Sequence, residues 1–460
     1  MSALAGCKDD AKDEKKVDVD AGSDAGAATG PSDTWSHMGF DQKNNYFNPN
    51  EKKLSVKNAG SLVEKWRFKV AGYPPGSPVI GEGKVFALST RGMYAIDLHT
   101  GVQVWSRLDI GGGTSSVAFE PGFVYVHTGG AALYKLSSAD GTTVWGPKMT
   151  APRVGCDGTS SPVIAGDKVL VGHACGPVEV GNSPKGTRGG VKAFDTADGS
   201  LAWTYFTVDG EKEDGASVWS TVAVDLDSKA VYAATGNNYT MQGENSDSIH
   251  AIDLDKGTQL WKRQVRNNDT WSYYGVPAGP DTDFGANPVL LDVGGNAMVA
   301  AGDKGGAFWG IDRITGAQLW SNPKLARSHN ATHGGVLNNG AFDGKYIYCI
   351  ANDPVGKTAV VNVLDPANGG NTVWQRTFEG VWTWAAPSLA NGVLVAPIDT
   401  TLHVLDAKDG HDLISFDTGG TIAGGAAAIV DGMIVVKSGL QYVFDPSTKN
   451  NDEIIAYGLP

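Results

Sequence analysis

A small set of side chains in this sequence carries chemistry: Thr159, Glu179, Trp219, Asn237, Asp269, Asp283 and Lys304. A glutamate, an asparagine carbonyl and an aspartate are hard oxygen donors of the kind Ca²⁺ prefers. An aspartate also accepts protons, and a lysine stabilises negative charge that develops during a reaction. An indole offers a flat face for a planar ring. Each residue has an ordinary reading too. Gly236-Asn237 is a common turn, Glu179 could be a solvated loop carboxylate, and Lys304 in Asp303-Lys304-Gly305-Gly306 could sit in a surface hairpin. Chemistry requires these groups to meet, so the elements that carry them decide.

Those elements recur. Ala95-Ile96-Asp97…Gly101…Trp105 returns as Lys135-Leu136-Ser137…Gly141…Trp145, Ala193-Phe194-Asp195…Gly199…Trp203 and Ala251-Ile252-Asp253…Gly257…Trp261. It continues as Gly310-Ile311-Asp312…Gly316…Trp320, Val363-Leu364-Asp365…Gly370…Trp374 and Val404-Leu405-Asp406…Gly410…Ile414. Tyr442-Val443-Phe444-Asp445 reads as an eighth copy, whose missing half is supplied by Trp66 in Glu64-Lys65-Trp66-Arg67-Phe68. No single unit of this kind can bury its own apolar face, so the copies must form an array. The spacing is about 40 residues near both ends, which suits four short antiparallel strands per copy. It widens to nearly 60 in the middle, so insertions over 140–320 are expected to build the binding face. The prediction is an all-β, eight-bladed β-propeller over 66–460 with tryptophans docked between blades. An N-terminal strand closes the ring, which removes exposed sheet edges.

Composition agrees. The 460 residues include 62 glycines, and runs of Val, Ile, Tyr and Trp alternate with Asp-Gly and Thr-Gly turns. A net charge of -13 argues against nucleic acid as a partner. Residues 35–65 form a lead-in, and residues 1–34, poor in large apolar side chains, read as a flexible tether. Leu4-Ala5-Gly6-Cys7 fits a bacterial lipobox, which predicts a lipid on Cys7 and a periplasmic or outer-membrane-anchored protein. Cys156 and Cys175 flank one predicted strand pair, where a disulfide is possible in an oxidising compartment. The sequence contains no C-x-x-C-H, so no c-type haem attaches to it.

The repeat resembles the tryptophan-docking motif of the pyrroloquinoline quinone (PQQ) enzymes, which are eight-bladed propellers. The likeness runs from about Trp35 to Pro460, and Trp35-Ser36-His37-Met38-Gly39-Phe40-Asp41…Asn44 is similar to their lead-in. Within that family, Gly279-Pro280-Asp281-Thr282-Asp283-Phe284-Gly285-Ala286 is similar to a stretch of the polyvinyl-alcohol dehydrogenase group. The resemblance implies that Trp219 lies under the quinone and that Thr159 and Lys304 contact it. It also implies that Asn237, Glu179 and Asp283 bind calcium, that Asp283 is the catalytic base, and that Trp384 walls the substrate pocket. Asp269, in Asp269-Thr270-Trp271-Ser272, is the reserve base. The family's adjacent cysteine pair is missing, and 111–130 holds no cysteine. The implied activity is PQQ- and calcium-dependent oxidation of an alcohol, with electrons passed to a cytochrome c or another external acceptor. The alternative is a lipid-anchored, non-catalytic scaffold propeller, because the barrel-assembly lipoprotein of outer membranes shares the docking motif.

Overall fold

The computed structural model describes residues 33–151, 156, 158–175, 186–271, 280–326, 332–338, 340–441 and 445–460. Among them, 32 short strands pair into eight four-stranded antiparallel sheets. Seven are continuous in sequence: blades 1 to 7 span 79–107, 118–149, 163–206, 223–264, 289–322, 341–379 and 388–417. Blade 8 joins Ala428–Val430, Met433–Ser438 and Glu453–Gly458 to the N-terminal strand Val63–Lys69. Neighbouring innermost strands touch in an unbroken cycle from blade 1 through blade 8 and back. Burial follows radius. Ala230–Ala234 is wholly buried, whereas the outer strand Gln103–Arg107 buries only Trp105. Apolar clusters therefore lie between adjacent sheets, as where Val79, Leu88 and Trp105 of blade 1 meet Val124 and Leu136 of blade 2.

Each docking tryptophan seals one interface. Trp66 lies on Gly101 of blade 1, Trp105 on Gly141 of blade 2, and so on to Trp374 on Gly410 of blade 7. These glycines have φ near +70°, and a Cβ at Gly257 would stand 2.5 Å from the indole of Trp203. Positive φ and a close aromatic face together exclude a side chain there. The indole N–H of Trp66, Trp105, Trp145, Trp203 and Trp261 donates across the interface, as from Trp66 to Leu98 O (2.8 Å), whereas those of Trp320 and Trp374 have no such acceptor among the described residues.

The eighth copy is corrected. Its third strand is Glu453–Gly458, which pairs with the N-terminal strand so that Trp66 faces Ala456. Gly458 stands where the other copies place aspartate, so the true copy was hidden. Tyr442 to Phe444 lie outside the described residues, and Asp445 belongs to a loop rather than to the repeat.

The lead-in closes the hub by touching the blades in order. Its backbone or side chains bond Ile80, Phe119, Ile164, Val224, Leu290, Phe342 and Leu389 through Trp35, Ser36, His37, Gln42, Lys43, Asn45 and Tyr46 respectively. Asn48 Nδ2 then reaches Ile429 O of blade 8 at 2.8 Å. Every contact falls on an innermost strand, so one segment of chain holds the whole wheel at its axis.

Candidate functional site

Opposite the lead-in, the segments entering the innermost strands surround a cavity of about 480 Å³. A belt of inter-blade hydrogen bonds fixes these entries. Ala426 N donates to Ser77 Oγ, Ser77 N to Ser116 Oγ, Ser116 N to Ser161 Oγ, Ser161 N to Thr221 Oγ1, and Thr221 N to Asn287 Oδ1 (2.7–3.1 Å). Each of these side chains is buried and precedes an inner strand, often as Ser-Pro-Val or Asn-Pro-Val. Met38 of the lead-in also lines the cavity, and its Sδ lies 3.3 Å from Ser161 Oγ.

Blades 3 to 5 supply a polar wall. Thr159, Trp219, Asn237, Asp283 and Lys304, far apart in sequence, all line the cavity. Asp283 Oδ2 accepts from Trp219 Nε1 at 3.1 Å, and Asp283 Oδ1 lies 2.8 Å from Lys304 Nζ. Lys304 Nζ also meets Asp281 Oδ1 at 2.9 Å and stands 5.4 Å from the centre of the Trp219 ring. Burial disfavours the ammonium charge, but Asp281 and Asp283 outweigh it and hold the Lys304 pKa well above the lysine range. Burial pushes the Asp281 carboxyl up to about 7, against the pull of Lys304, and the Asp283 charge adds to the rise. Behind this pair, burial together with the charges of Asp269, Asp283 and Asp303 drives Asp247 well above the carboxylate range. The wall thus packs more buried carboxylates than cations.

Three features of this wall bear on what it could hold. Thr159 Oγ1 is buried without a hydrogen-bond partner. Asn237 Nδ2 donates to Asn238 O (3.0 Å) and to Trp271 O, which leaves the side-chain carbonyl as its remaining ligating atom. Gly236 and Gly285 flank the indole of Trp219: Cβ atoms there would stand 3.2 and 2.9 Å from it. Their bareness keeps both approaches to the ring open.

Blades 6 to 8 supply an aromatic wall. Trp384 and Thr332 line the cavity, and Trp384 Nε1 donates to Thr332 O at 2.8 Å. His333 packs against Trp382 and Trp384, with ring centroids 4.1 and 5.1 Å apart. Its Nδ1 meets Thr332 Oγ1 at 2.7 Å and its Nε2 meets Asp445 Oδ2 at 2.8 Å. Burial raises the Asp445 carboxyl, but hydrogen bonds from Ser447, His333 and Trp382 prevail and take it down to about 2.

One sequence-based assignment moves. Asp269 does not line the cavity; its carboxylate accepts from the backbone N–H groups of Asp281 (3.1 Å) and Thr282 (2.6 Å). It shapes the loop that presents Asp283, so the reserve candidate for the base faces backbone amides instead of the cavity. Glu179 and Cys7 lie outside the described residues. Cys156 and Cys175 are joined in a disulfide that packs against Tyr239, another cavity residue. Sequence reasoning missed Asp281 as the second carboxylate on Lys304, although it stands two residues from Asp283. It also missed Thr332, His333 and Asp445, which carry no recognisable spacing, and the repeat assignment drew Asp445 away from the site.

Comparisons with known proteins follow this geometry. A family model described as outer membrane protein assembly factor BamB matches residues 64–322 and 357–457. A polyvinylalcohol dehydrogenase from Pseudomonas sp is 25% identical over 482 residues, spanning 88% of this chain and 73% of its own length. One from Sphingopyxis sp. (strain 113P3) is 23% identical over 485 residues, spanning 89% and 73%. Among solved structures, a europium-containing methanol dehydrogenase matches 93% of this chain and 98% of its own, with a TM-score of 0.77 at 18% identity. At that identity the likeness is one of fold.

Proposed function

The chain belongs to the PQQ_2 family, whose model carries the assembly-factor description, and within it we propose a PQQ- and calcium-dependent alcohol dehydrogenase. The polyvinylalcohol dehydrogenases found as relatives support alcohol oxidation as the reaction class. The observation that carries the reading is convergence: Thr159, Trp219, Asn237, Asp283 and Lys304 lie outside the docking repeat yet share one cavity. A scaffold needs the repeat but has no use for a lysine between two buried carboxylates facing a cavity.

When bound, PQQ supplies a two-electron acceptor and Ca²⁺ a Lewis acid beside it. Trp219 would hold the quinone plane, and Thr159 and Lys304 would engage its polar rim. Asn237 and Asp283 would hold the calcium ion, with Glu179 a further proposed ligand. The Asp283 carboxylate, oriented by the Trp219 N–H and the Lys304 ammonium, would take the proton of the substrate hydroxyl. Lys304 keeps a second anchor in Asp281, so Asp283 can turn to substrate or metal without leaving the ammonium unpaired. The electrons would pass to an external acceptor such as a cytochrome c. Lipidation at Cys7 would place the enzyme in the cell envelope, beside such acceptors.

Purified protein supplied with PQQ and Ca²⁺ should retain quinone absorbance through gel filtration and reduce a dye in the presence of alcohols. Neither signal across primary, secondary and polymeric alcohols would leave the scaffold as the better account.

A further inference from the structure

We propose that Thr332, His333 and Asp445 form a relay that carries protons out of the cavity during turnover. The inference rests on the dehydrogenase reading above. Oxidising an alcohol to a carbonyl breaks one O–H and one C–H bond and releases two protons and two electrons overall. The electrons leave to the external acceptor. The protons need their own exit, because the polar wall already holds an excess of buried negative charge around a lysine. Protons retained there would neutralise the carboxylate needed for the next cycle.

The aromatic wall supplies a connected path. Asp445 is an acceptor only, so the 2.8 Å contact puts a proton on His333 Nε2. His333 Nδ1 is then the acceptor for the Thr332 hydroxyl at 2.7 Å. Thr332 lines the cavity, whereas Asp445 adjoins the exposed residues Pro446 and Ser447. The path therefore runs from cavity to surface. Thr332 Oγ1 passes its proton to His333 Nδ1 and takes one from the cavity in the same exchange. The resulting imidazolium is paired with the Asp445 carboxylate, loses its Nε2 proton past Asp445 to bulk water, and recovers its starting tautomer by a turn of the ring.

The surroundings suit this task. Trp382 Nε1 donates to the same Asp445 oxygen at 3.1 Å, and Ser447 donates to the other oxygen through both its N–H and its hydroxyl. The carboxylate is therefore held fixed. Among the described residues, the cluster's own charge is Asp445, and Lys357 Nζ stands 5.1 Å from the Trp382 ring. Trp382 and Trp384 both pack against the imidazole, whose nitrogens face Thr332 on the cavity side and Asp445 on the other. The Thr332–His333–Asp445 set serves no blade packing repeated elsewhere in the wheel.

Asp445→Asn keeps the shape but removes the charge that balances the imidazolium. We expect kcat to fall at least about tenfold and the acid limb of the kcat profile to move to lower pH, with PQQ affinity, read by tryptophan quenching, unchanged. His333→Ala should lose about 100-fold in kcat and regain activity with added imidazole, which a packing role would not produce. Should the alanine variant fail to fold, the Asp445 variant carries the test. An Asp445→Asn enzyme with the wild-type kcat and pH profile overturns the relay. So does a His333→Ala enzyme that binds PQQ normally yet ignores imidazole. If the wild-type chain neither binds PQQ nor oxidises an alcohol, the dehydrogenase reading fails and the relay falls with it.

Discussion

On one side of the cavity, Asp281 and Asp283 crowd Lys304, with Asp247, Asp269 and Asp303 close behind. On the other, two indoles pack against an imidazole, and a carboxylate there, Asp445, is met by four hydrogen bonds. The first wall is an interdependent set of charges, since each buried member is tolerable only while its partners remain. The second is a stack of mostly neutral rings, whose loss is graded by contact area and by single hydrogen bonds. The same wheel thus offers a wall suited to holding charge beside a reaction and a wall suited to shaping what enters.

Activity should separate the two walls most sharply. Asp283→Asn removes the proposed base and should lower dye-linked kcat by about 10³-fold, within the usual range for general-base removal. Trp384→Phe keeps an aromatic ring but loses part of the indole and the bond to Thr332 O, and should cost less than about tenfold. Equal losses in steady-state kinetics would show that the walls do not divide the work in this way.

Stability should separate them next. Lys304→Met leaves Asp281 and Asp283 in low dielectric without their cation. The expected destabilisation is about 3–5 kcal/mol by urea denaturation, the usual cost of removing one partner from a buried pair. Trp384→Phe should cost about 1 kcal/mol in the same assay. A Lys304→Met protein as stable as wild type would mean that the carboxylates there take up protons freely and that the wall is not a coupled set.

Much of this arrangement was legible in the chain, for a physical reason. Blade number and the role of Trp66 followed from a motif in which glycine, aspartate and tryptophan each do one geometric job, so the motif tolerates little change. Trp219, Asn237, Asp283 and Lys304 were legible only through resemblance; their spacing alone would pass for turns and a surface lysine. The aromatic wall was illegible because His333 and Asp445 are 112 residues apart and meet only when the ring closes. Ring closure also hid the last blade, since Gly458 replaces the marker aspartate and the partner strand lies at Val63–Lys69. The belt of Ser77, Ser116, Ser161, Thr221 and Asn287 did leave a trace in the recurring Pro-Val that follows several of them.

Lys437 gives the charged wall its counter-example. It is as withdrawn from water as any lysine here, with 2% exposure, and its ammonium meets the carbonyl of Leu88 at 3.1 Å. Burial lowers its pKa to about 7, the opposite of Lys304. Because the folded pKa lies below the unfolded one, the unfolded chain binds more protons between about 7 and 10.5. Lysine at this position therefore costs stability at and below neutrality, and the cost fades as pH rises. Lys437→Met should raise stability by several kcal/mol at pH 7, with the gain shrinking toward pH 10. Denaturation midpoints at the two pH values check the sign. A gain independent of pH would mean that the lysine costs packing and not charge.

The smallest expected effect concerns the belt that holds the cavity entries. Ser116→Ala leaves Ser77 N–H, buried at the interface of blades 1 and 2, without its acceptor. The price should be about 1–2 kcal/mol, that of a buried donor left unpaired. At blade 7 Ala386 occupies the belt position, and its N–H donates to Gly425 O at 3.0 Å because Ala426 of blade 8 offers no side-chain acceptor; the blade 6 position, 339, lies outside the described residues. Ala426→Ser, on that side, adds a hydroxyl where the neighbouring amide is already bonded and should not stabilise the protein. The entries of blades 1 to 5 are then tied by side chains from neighbouring blades, while the entry of blade 7 is tied to blade 8 by backbone pairing. If Ser116→Ala proves neutral while Ala426→Ser stabilises, the entries on the two sides are held alike, and the asymmetry of the cavity lies only in the groups that face it.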